Sequence, residues 1–264
     1  MCKPEIRLHP RLTKPQKEAI LSKSPFILLT GVAGTGKTYC AIARGLQLIR
    51  DGIVDKIIIV RSAVAVRSIG FLPGDDAEKA DPYAAPYVDL IKDISPKTPY
   101  KMLESKKVVE FHLTSFLRGM TYDDAVIIVD EFQNMSEHEL QTVATRVGHN
   151  TQLIVCGDSD QTDLHGAEAQ GHKHVINVFR HMPEFHTVTF GVNDIVRSPF
   201  VKSYYKTKAK LLAPAPVAKP WKAPTFSGLD DTISSNEVSQ TARCIPTAEE
   251  TADEETWDAD QPAT

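Results

Sequence analysis

The sequence predicts an α/β fold in which a mainly parallel β-sheet is covered by helices on both faces. Apolar runs alternate along the chain with segments of helical period, which is the pattern of parallel strands joined by helices. The runs at 57–60 and 126–129 are apolar at every position, as expected for strands buried on both faces. A glycine-rich segment lies between the first apolar run and the first long helical segment. Open sheets of this class bind ligands at the carboxyl ends of their strands.

Turn and capping residues support the individual elements. Gly52 suits the end of the first long helix, and Ser136 with Glu139 forms a capping box for a later one. Pro15 suits the first turn of a helix that begins after Leu12. We predict strands at 26–30, 57–61, 108–112, 125–129, 152–156 and 186–190, and long helices at 37–50 and 136–147.

Two segments depart from this alternation. An insertion rich in Pro and Asp, about 65–105, separates the second and third strands and is too long for a simple loop. After about residue 210 the chain becomes rich in Pro and Ala, then in Ser and Thr, and finally acidic. We therefore expect one compact domain over 1–210 and a disordered tail over 211–264.

Composition excludes wholesale disorder, because 42% of the 264 residues are hydrophobic and 24% are charged. The net charge of -4 conceals an asymmetry. Residues 244–264 contain seven acidic side chains and no Lys or Arg, which leaves 30 basic and 27 acidic residues in the rest of the chain. A mildly basic body is compatible with nucleic acid without requiring it.

The cysteines and the apolar content indicate a cytoplasmic protein. Cys2, Cys40, Cys156 and Cys244 are far apart in the sequence, and we expect reduced thiols. The first residues contain no apolar signal region, and no apolar stretch approaches the length of a transmembrane helix. We expect no membrane partner.

The glycine-rich segment predicts a phosphate-binding loop. Its glycines allow the backbone N–H groups to point inward at nucleotide phosphates, and the following helix adds the positive end of its dipole. Lys37 is expected to reach the β and γ phosphates, and Thr38 to hold Mg²⁺. The alternative is a strand-to-helix turn that holds nothing, but the flanking strand and helix favour phosphate. The loop comprises Gly31, Val32, Ala33, Gly34, Thr35, Gly36, Lys37 and Thr38.

Two carboxylates follow the buried strand at 125–129. Asp130 is expected to hold Mg²⁺ through its hydration shell, and Glu131 to polarise the water that attacks the γ-phosphorus. A solvated Asp-Glu pair at a strand end is the alternative. The position downstream of a phosphate loop favours catalysis, and the base favours hydrolysis over a kinase reaction.

Three further side chains are candidates for the same site. Gln161 follows the strand at 152–156, where it would detect loss of the γ-phosphate, although a simple Gly-Asp turn is the alternative. Gln16 carries the amide donor and acceptor needed to read an adenine edge. Arg197 could stabilise charge on the transferred phosphoryl group, whereas most arginines in exposed turns are only solvated.

Tyr204 and Tyr205 lie among the basic residues of the last predicted helical segment. They could stack nucleic-acid bases. We favour the alternative, an amphipathic basic helix that packs its tyrosines on the core.

Together these motifs resemble the PhoH-like ATPases over about residues 8–210. The resemblance rests on the loop at 31–38, on Val-Asp-Glu-Phe-Gln-Asn at 129–134, on Gly-Asp-x-x-Gln at 157–161, and on the insertion from Ile69 to Asp89. Short versions of this kind look like those of bacteriophages. The family is similar to the first motor domain of superfamily 1 helicases. The resemblance implies a three-layer P-loop NTPase (RecA-like) core that binds ATP and Mg²⁺, with RNA or single-stranded nucleic acid as partner.

Site roles follow from the resemblance, position by position. It assigns phosphate and Mg²⁺ binding to Lys37 and Thr38, metal coordination to Asp130 and water activation to Glu131. Gln161 corresponds to the γ-phosphate sensor and Arg197 to an arginine finger. Arg61 lies where helicases touch the nucleic-acid strand. The larger relatives' nuclease and RNA-binding domains have no counterpart here, so we expect no ribonuclease activity.

We therefore expect a cytoplasmic ATPase that couples hydrolysis to nucleic-acid binding or remodelling. The chain after residue 210 is too poor in apolar residues for a second motor domain. We expect a neighbouring copy to complete the site in a homo-oligomeric ring, for example a hexamer, with Arg197 acting across the interface. The alternatives are a nucleotide-dependent switch with slow hydrolysis and a small-molecule kinase. The acidic tail either solubilises the chain or competes with nucleic acid.

Overall fold

A computed structural model describes residues 3–62, 76–117, 119–158, 161–162, 164 and 166–212. These residues belong to one compact unit, Met1–Ala213. The predicted acidic tail, the motif at 69–75 of the insertion, and the cysteines at positions 2 and 244 lie outside the described residues. The predicted domain boundary near residue 210 stays a prediction.

Six strands and seven α-helices make up the described unit. The strands are β1 (Phe26–Gly31), β2 (Lys56–Arg61), β3 (Val109–Leu113), β4 (Ala125–Asp130), β5 (Gln152–Gly157) and β6 (Phe185–Phe190). The helices are α1 (Lys14–Leu21), α2 (Lys37–Arg50), α3 (Asp76–Ile94), α4 (Tyr100–Ser105), α5 (Glu137–Ala144), α6 (Gly166–His181) and α7 (Pro199–Leu212). Each predicted strand is confirmed to within one residue at either end.

The strands form one sheet in the order β3-β2-β4-β5-β1-β6, and every pair is parallel. All six carboxyl ends therefore lie at the same edge of the sheet. The strand that precedes the glycine-rich loop, β1, is separated from β4 and its two carboxylates by β5 alone. This order brings the three predicted motifs to one edge.

Two hydrophobic cores lie on opposite faces of the sheet, so the predicted three-layer α/β architecture is confirmed. Alternate residues of each strand contribute to opposite faces. Helices α1 to α4 cover the first face, and α5 and α6 cover the second. On β4, Val126 and Ile128 point into the first core, whereas Ile127 and Val129 point into the second.

Helix ends follow the predicted signals with one difference. Gly52 adopts φ 70° after α2, and Ser136 with Glu139 forms the predicted capping box of α5. The helix predicted over 136–147 ends at Ala144. It stops there because Val147 forms a parallel β-bridge with Tyr122 instead of continuing the helix.

Much of the described part of the insertion is helical. Helix α3 packs on the first face through Tyr87, Ile91 and Ile94, and α4 adds Leu103 to the same core. The described part of the insertion, 76–105, therefore belongs to the layer of helices on the first face. None of the helices in the described ranges is long and apolar enough to cross a bilayer.

Candidate active site

The loop after β1 has the backbone shape that its glycines permit. Gly31, Gly34 and Gly36 adopt φ values of 139°, 80° and 81°, which side chains with a Cβ rarely accept. A Cβ on Gly31 would lie 2.2 Å from the carbonyl oxygen of Phe190 on the neighbouring strand. Thr35 is buried, and its hydroxyl donates to the carbonyl oxygen of Val32 at 2.9 Å, which closes the turn.

Lys37 begins α2 and folds its side chain back into this loop. Its Nζ donates to the carbonyl oxygens of Gly31 at 2.6 Å and Val32 at 3.1 Å. The ammonium group therefore lies inside the curve of the loop. A phosphate entering that curve would meet the ammonium, the loop N–H groups and the amino terminus of α2.

Thr38 and Asp130 meet although they lie on different elements. The Thr38 hydroxyl donates to Oδ1 of Asp130 at 2.9 Å and lies 3.2 Å from Oδ2. Oδ2 accepts a hydrogen bond of 2.9 Å from the hydroxyl of Tyr87 on α3. Asp130 reaches both partners because alternate residues of β4 face the side of the sheet that α2 and α3 cover.

Burial raises the pKa of the Asp130 carboxyl to about 6, and the neighbouring charge of Glu131 adds to this rise. The hydrogen bonds from Tyr87 and Thr38 oppose it. A carboxylate with a raised pKa beside a hydroxyl fits a hard divalent cation, because both donors are oxygens and a cation would offset the buried charge. Thr38 and Asp130 are thus the residues that would hold Mg²⁺.

Glu131 has an unusual backbone conformation, with φ 55° and ψ 47°. This left-handed conformation is unfavourable for a residue with a side chain. Because of this conformation, the Glu131 side chain does not continue the alternating side-chain directions of β4. Nε2 of Gln133 donates a hydrogen bond to Oε2 of Glu131. Gln133 is 4% exposed, and its Oε1 accepts from the backbone N–H of Asp158 at 3.0 Å.

Gln133 and Tyr87 contact the two carboxylates after β4, and sequence reasoning missed both residues. Gln133 lies inside the quoted 129–134 motif, so a polar side chain two residues after Glu131 was an available signal. For Tyr87 the only signal was the insertion itself, because nothing in the spacing of the chain relates α3 to Asp130.

Gln161 is exposed and follows β5, at the edge that carries the other motifs. Its Nε2 donates to the hydroxyl of Tyr205 on α7. This contact joins the loop after β5 to the last helix. The role of Gln161 as a phosphate sensor stays a prediction.

Gln16 is 3% exposed, and its amide is bonded to three backbone groups. Oε1 accepts from the N–H of Thr13 at 2.9 Å. Nε2 donates to the carbonyl oxygens of Thr35 at 2.9 Å and Asp194 at 3.4 Å. Gln16 thus ties α1 to the phosphate loop, and an adenine base would have to compete for these bonds. Its role in reading adenine stays a prediction.

Arg197 lies beside the phosphate loop of its own chain. The N–H of Val196 donates to the carbonyl oxygen of Gly34 at 3.1 Å, and a Cβ on Gly34 would lie 3.2 Å from the Cβ of Arg197. The Arg197 side chain is exposed. Its predicted action across an interface stays a prediction.

The tyrosines of α7 do not pack on the core, so that expectation was wrong. No residue of α7 is buried, and Tyr204 is 55% exposed. The helix rests near the phosphate loop and Gln161 instead of covering the sheet, which leaves the side chains of Phe200, Tyr204, Leu211 and Leu212 exposed.

Arg61 ends β2 in register with Asp130 on β4. Its positive charge lowers the pKa of Asp130, against the larger effect of burial. The residue predicted to touch nucleic acid is therefore a close electrostatic neighbour of Asp130.

The fold agrees with the comparison to known proteins. The model of the PhoH family, described as PhoH-like protein, matches residues 10–208. The PhoH-like protein of Bacillus subtilis (strain 168) is 33% identical over 192 residues, which are 72% of this chain and 60% of that protein. Protein PhoH of Escherichia coli (strain K12) is 36% identical over 184 residues, 69% of this chain and 52% of that protein.

The chain thus spans little more than half the length of these relatives. Among solved structures, the large terminase of a thermophilic bacteriophage aligns with 74% of this chain and 50% of that chain, at a TM-score of 0.44 and 13% identity. The sheet order, the loop after β1 and the carboxylates after β4 give the P-loop NTPase core, and the family match covers nearly all of it. The chain belongs to the PhoH family, with a three-layer, RecA-like P-loop NTPase core.

Proposed function

We propose that this protein hydrolyses ATP at the edge of the sheet where the loop after β1 meets Asp130 and Glu131. The observation that carries the proposal is the 2.9 Å hydrogen bond between Thr38 and Asp130, which joins the phosphate loop to the strand that bears the catalytic carboxylates. A loop that only binds nucleotide would not need an adjacent base. Glu131 provides one.

Each residue has a distinct part in the proposed reaction. The loop N–H groups and the Lys37 ammonium bind the β and γ phosphates and stabilise the charge that develops on them. Glu131 orients the attacking water in line with the γ-phosphorus, and Gln133 holds the Glu131 carboxylate. Mg²⁺, when bound, neutralises charge on the β and γ phosphate oxygens. Thr38 and Asp130 would hold that ion.

Release of phosphate from ATP in water tests the proposal. Glu131→Gln should lower kcat by about 100-fold or more while nucleotide binding is retained, because the base is lost and the loop is intact. Glu137→Gln is the matched control, since Glu137 begins α5 and bonds only to Gln141 among the described contacts. Phosphate transfer to a small molecule without release in water would favour the kinase alternative.

We further propose that hydrolysis is coupled to RNA or single-stranded DNA. Helix α7 supports this proposal because its lysines and tyrosines are at least partly exposed at the edge that carries the site, and base stacking with phosphate neutralisation needs both. The relevant basic side chains are Lys202, Lys206, Lys208 and Lys210.

RNA and single-stranded DNA should therefore stimulate ATP turnover. A triple variant, in which Gln replaces Lys206, Lys208 and Lys210, should bind nucleic acid more weakly and with a smaller salt dependence. The matched control changes Lys14, Lys17 and Lys23 to Gln. These three line a cavity of about 480 Å³ beside Ser24 and His186, near the amino ends of β1 and β6. Turnover that no nucleic acid alters would instead favour a nucleotide-dependent switch.

We also propose that this protein forms a homo-oligomer. The support is the exposed apolar set on α7, where Phe200 is 78% exposed and Leu211 is 80% exposed. Sedimentation with and without ATP tests assembly.

Mixing Arg197→Ala subunits with Glu131→Gln subunits tests where Arg197 acts. Partial rescue of ATP turnover requires a site shared between subunits. No rescue in an oligomer means that Arg197 acts on the site of its own chain.

A further inference from the structure

Tyr87 makes a contact that the nucleotide motifs do not account for. It lies on α3 in the insertion, is 3% exposed, and donates its hydroxyl proton to Oδ2 of Asp130 at 2.9 Å. Its ring packs 5.5 Å from the ring of Phe111 on β3, measured between centroids. The side chain is thus fixed at both ends, by an aromatic neighbour and by the carboxylate.

The shortest hydrogen bonds of the two donors go to different oxygens of Asp130. Thr38 donates to Oδ1 at 2.9 Å and Tyr87 to Oδ2 at 2.9 Å. The carboxylate plane is therefore set by two elements, α2 and α3, that both pack on the same face of the sheet. Without the Tyr87 hydroxyl, Oδ2 would keep only the longer 3.2 Å contact with the Thr38 hydroxyl, and the Asp130 carboxylate would be freer to rotate about its terminal bond.

We propose that Tyr87 is a positioning residue that orients Asp130 for the metal ion, so that the insertion contributes directly to the catalytic site. This inference rests on the proposed ATP hydrolysis. Tyr87 acts through Asp130, the carboxylate to which its hydroxyl donates. The chemistry is that of an outer-shell hydrogen bond, which orients a carboxylate toward a cation or toward the water molecules around it.

Tyr87→Phe is the direct test, because it removes the hydroxyl and keeps the ring against Phe111. We expect the half-saturating Mg²⁺ concentration for ATP turnover to rise about tenfold, in line with other outer-shell substitutions. Affinity for Mn²⁺ in the presence of ADP, measured from the electron paramagnetic resonance signal of free Mn²⁺, should fall by a similar factor. The second measurement needs no turnover.

Two control variants separate orientation from packing. Tyr122→Phe removes the hydroxyl of another buried tyrosine, which contacts the sulfur of Met120 and lies in the second core. It should leave the Mn²⁺ affinity unchanged. Phe111→Leu loosens the ring contact of Tyr87 but keeps the Tyr87 hydroxyl. It should therefore lower the unfolding temperature and reduce the Mn²⁺ affinity less than Tyr87→Phe does.

Unchanged Mn²⁺ affinity in folded Tyr87→Phe protein would overturn the inference, whatever happens to turnover. An equal loss of affinity in Phe111→Leu and Tyr87→Phe would also overturn it, because packing alone would then explain the effect. If the unaltered protein binds Mn²⁺ and ADP but releases no phosphate, the proposed function fails. The role of Tyr87 at the metal site would still be measured by the binding experiment.

Discussion

Glu131 and Gly31 both adopt a positive φ where the chain leaves a strand, which strains Glu131 but suits a glycine. Glu131 adopts φ 55° immediately after β4, a conformation that costs on the order of 1–3 kcal/mol for a residue with a side chain. Gly31 adopts φ 139° where β1 enters the loop. At both positions the chain must leave the strand abruptly, because the functional groups that follow belong at the sheet edge. Local strain is therefore located where the proposed chemistry takes place.

Replacement of Gly31 by Ala should be severely destabilising. The new Cβ would lie 2.2 Å from the carbonyl oxygen of Phe190, on a backbone that cannot move without breaking the pairing of β1 with β6. We expect a loss of more than about 3 kcal/mol in the free energy of unfolding, measured by denaturant titration. Gly52→Ala is the matched control, because Gly52 also has positive φ but no atom within 4 Å of a Cβ. It should cost only about 1–2 kcal/mol.

Helix α5 shows how one side chain connects several elements. Glu139 is 8% exposed, and besides its capping role it accepts hydrogen bonds from Thr114 at 2.5 Å and from Ser62 at 3.1 Å. Ser62 follows β2 and Thr114 follows β3. The capping box was predictable from Ser136 and Glu139 alone, but the hydroxyls from the other strand ends were not.

Glu139→Ala should therefore cost more than an ordinary helix cap. Removal of the carboxylate leaves the buried hydroxyls of Ser62 and Thr114 and the N–H of Ser136 without this acceptor, and we expect a loss of about 2–4 kcal/mol in unfolding free energy. Glu137→Ala on the same helix should cost less than about 1 kcal/mol. Equal losses for both variants would mean that Glu139 acts only through helix propensity.

Across the whole molecule, burial makes two of the cysteines chemically inert. Cys40 on α2 and Cys156 on β5 are both free and buried in the first core. Burial raises the pKa of Cys40 to about 12 and raises the pKa of Cys156 well above its usual value. Because a raised pKa keeps a thiol protonated, the reactive thiolate is scarce at any pH below that value.

In a variant with Cys2→Ser and Cys244→Ser, neither remaining thiol should react with an alkylating reagent at pH 8 in the native state. Both should react after unfolding in guanidinium chloride, and the native rate should stay far below the rate in the unfolded protein at pH 7 and at pH 9, because burial keeps the thiolate scarce. Mass spectrometry of the alkylated protein measures this. Rapid native alkylation at Cys40 would mean that α2 separates from the sheet readily.

The sequence by itself determined the strands, the α/β class, the phosphate loop and the carboxylates after β4. These features depend on local patterns: apolar runs for buried strands, glycines for the tight loop, and charged residues where a strand ends. Its errors arose where tertiary contacts, rather than local patterns, decided the structure. The helix predicted to reach residue 147 ends early because Val147 pairs with a residue distant in sequence. The tyrosines of α7, predicted to pack on the core, are not buried.

The tertiary structure alone decided which residues meet at the carboxyl edge of the sheet. Strand order placed β5 between the loop and the carboxylates, packing of the insertion brought Tyr87 to Asp130, and the turn after β6 placed Arg197 beside Gly34. Each of these contacts joins residues far apart in the chain. Such contacts depend on how helices pack over one sheet, and no periodicity or spacing within a segment encodes that arrangement.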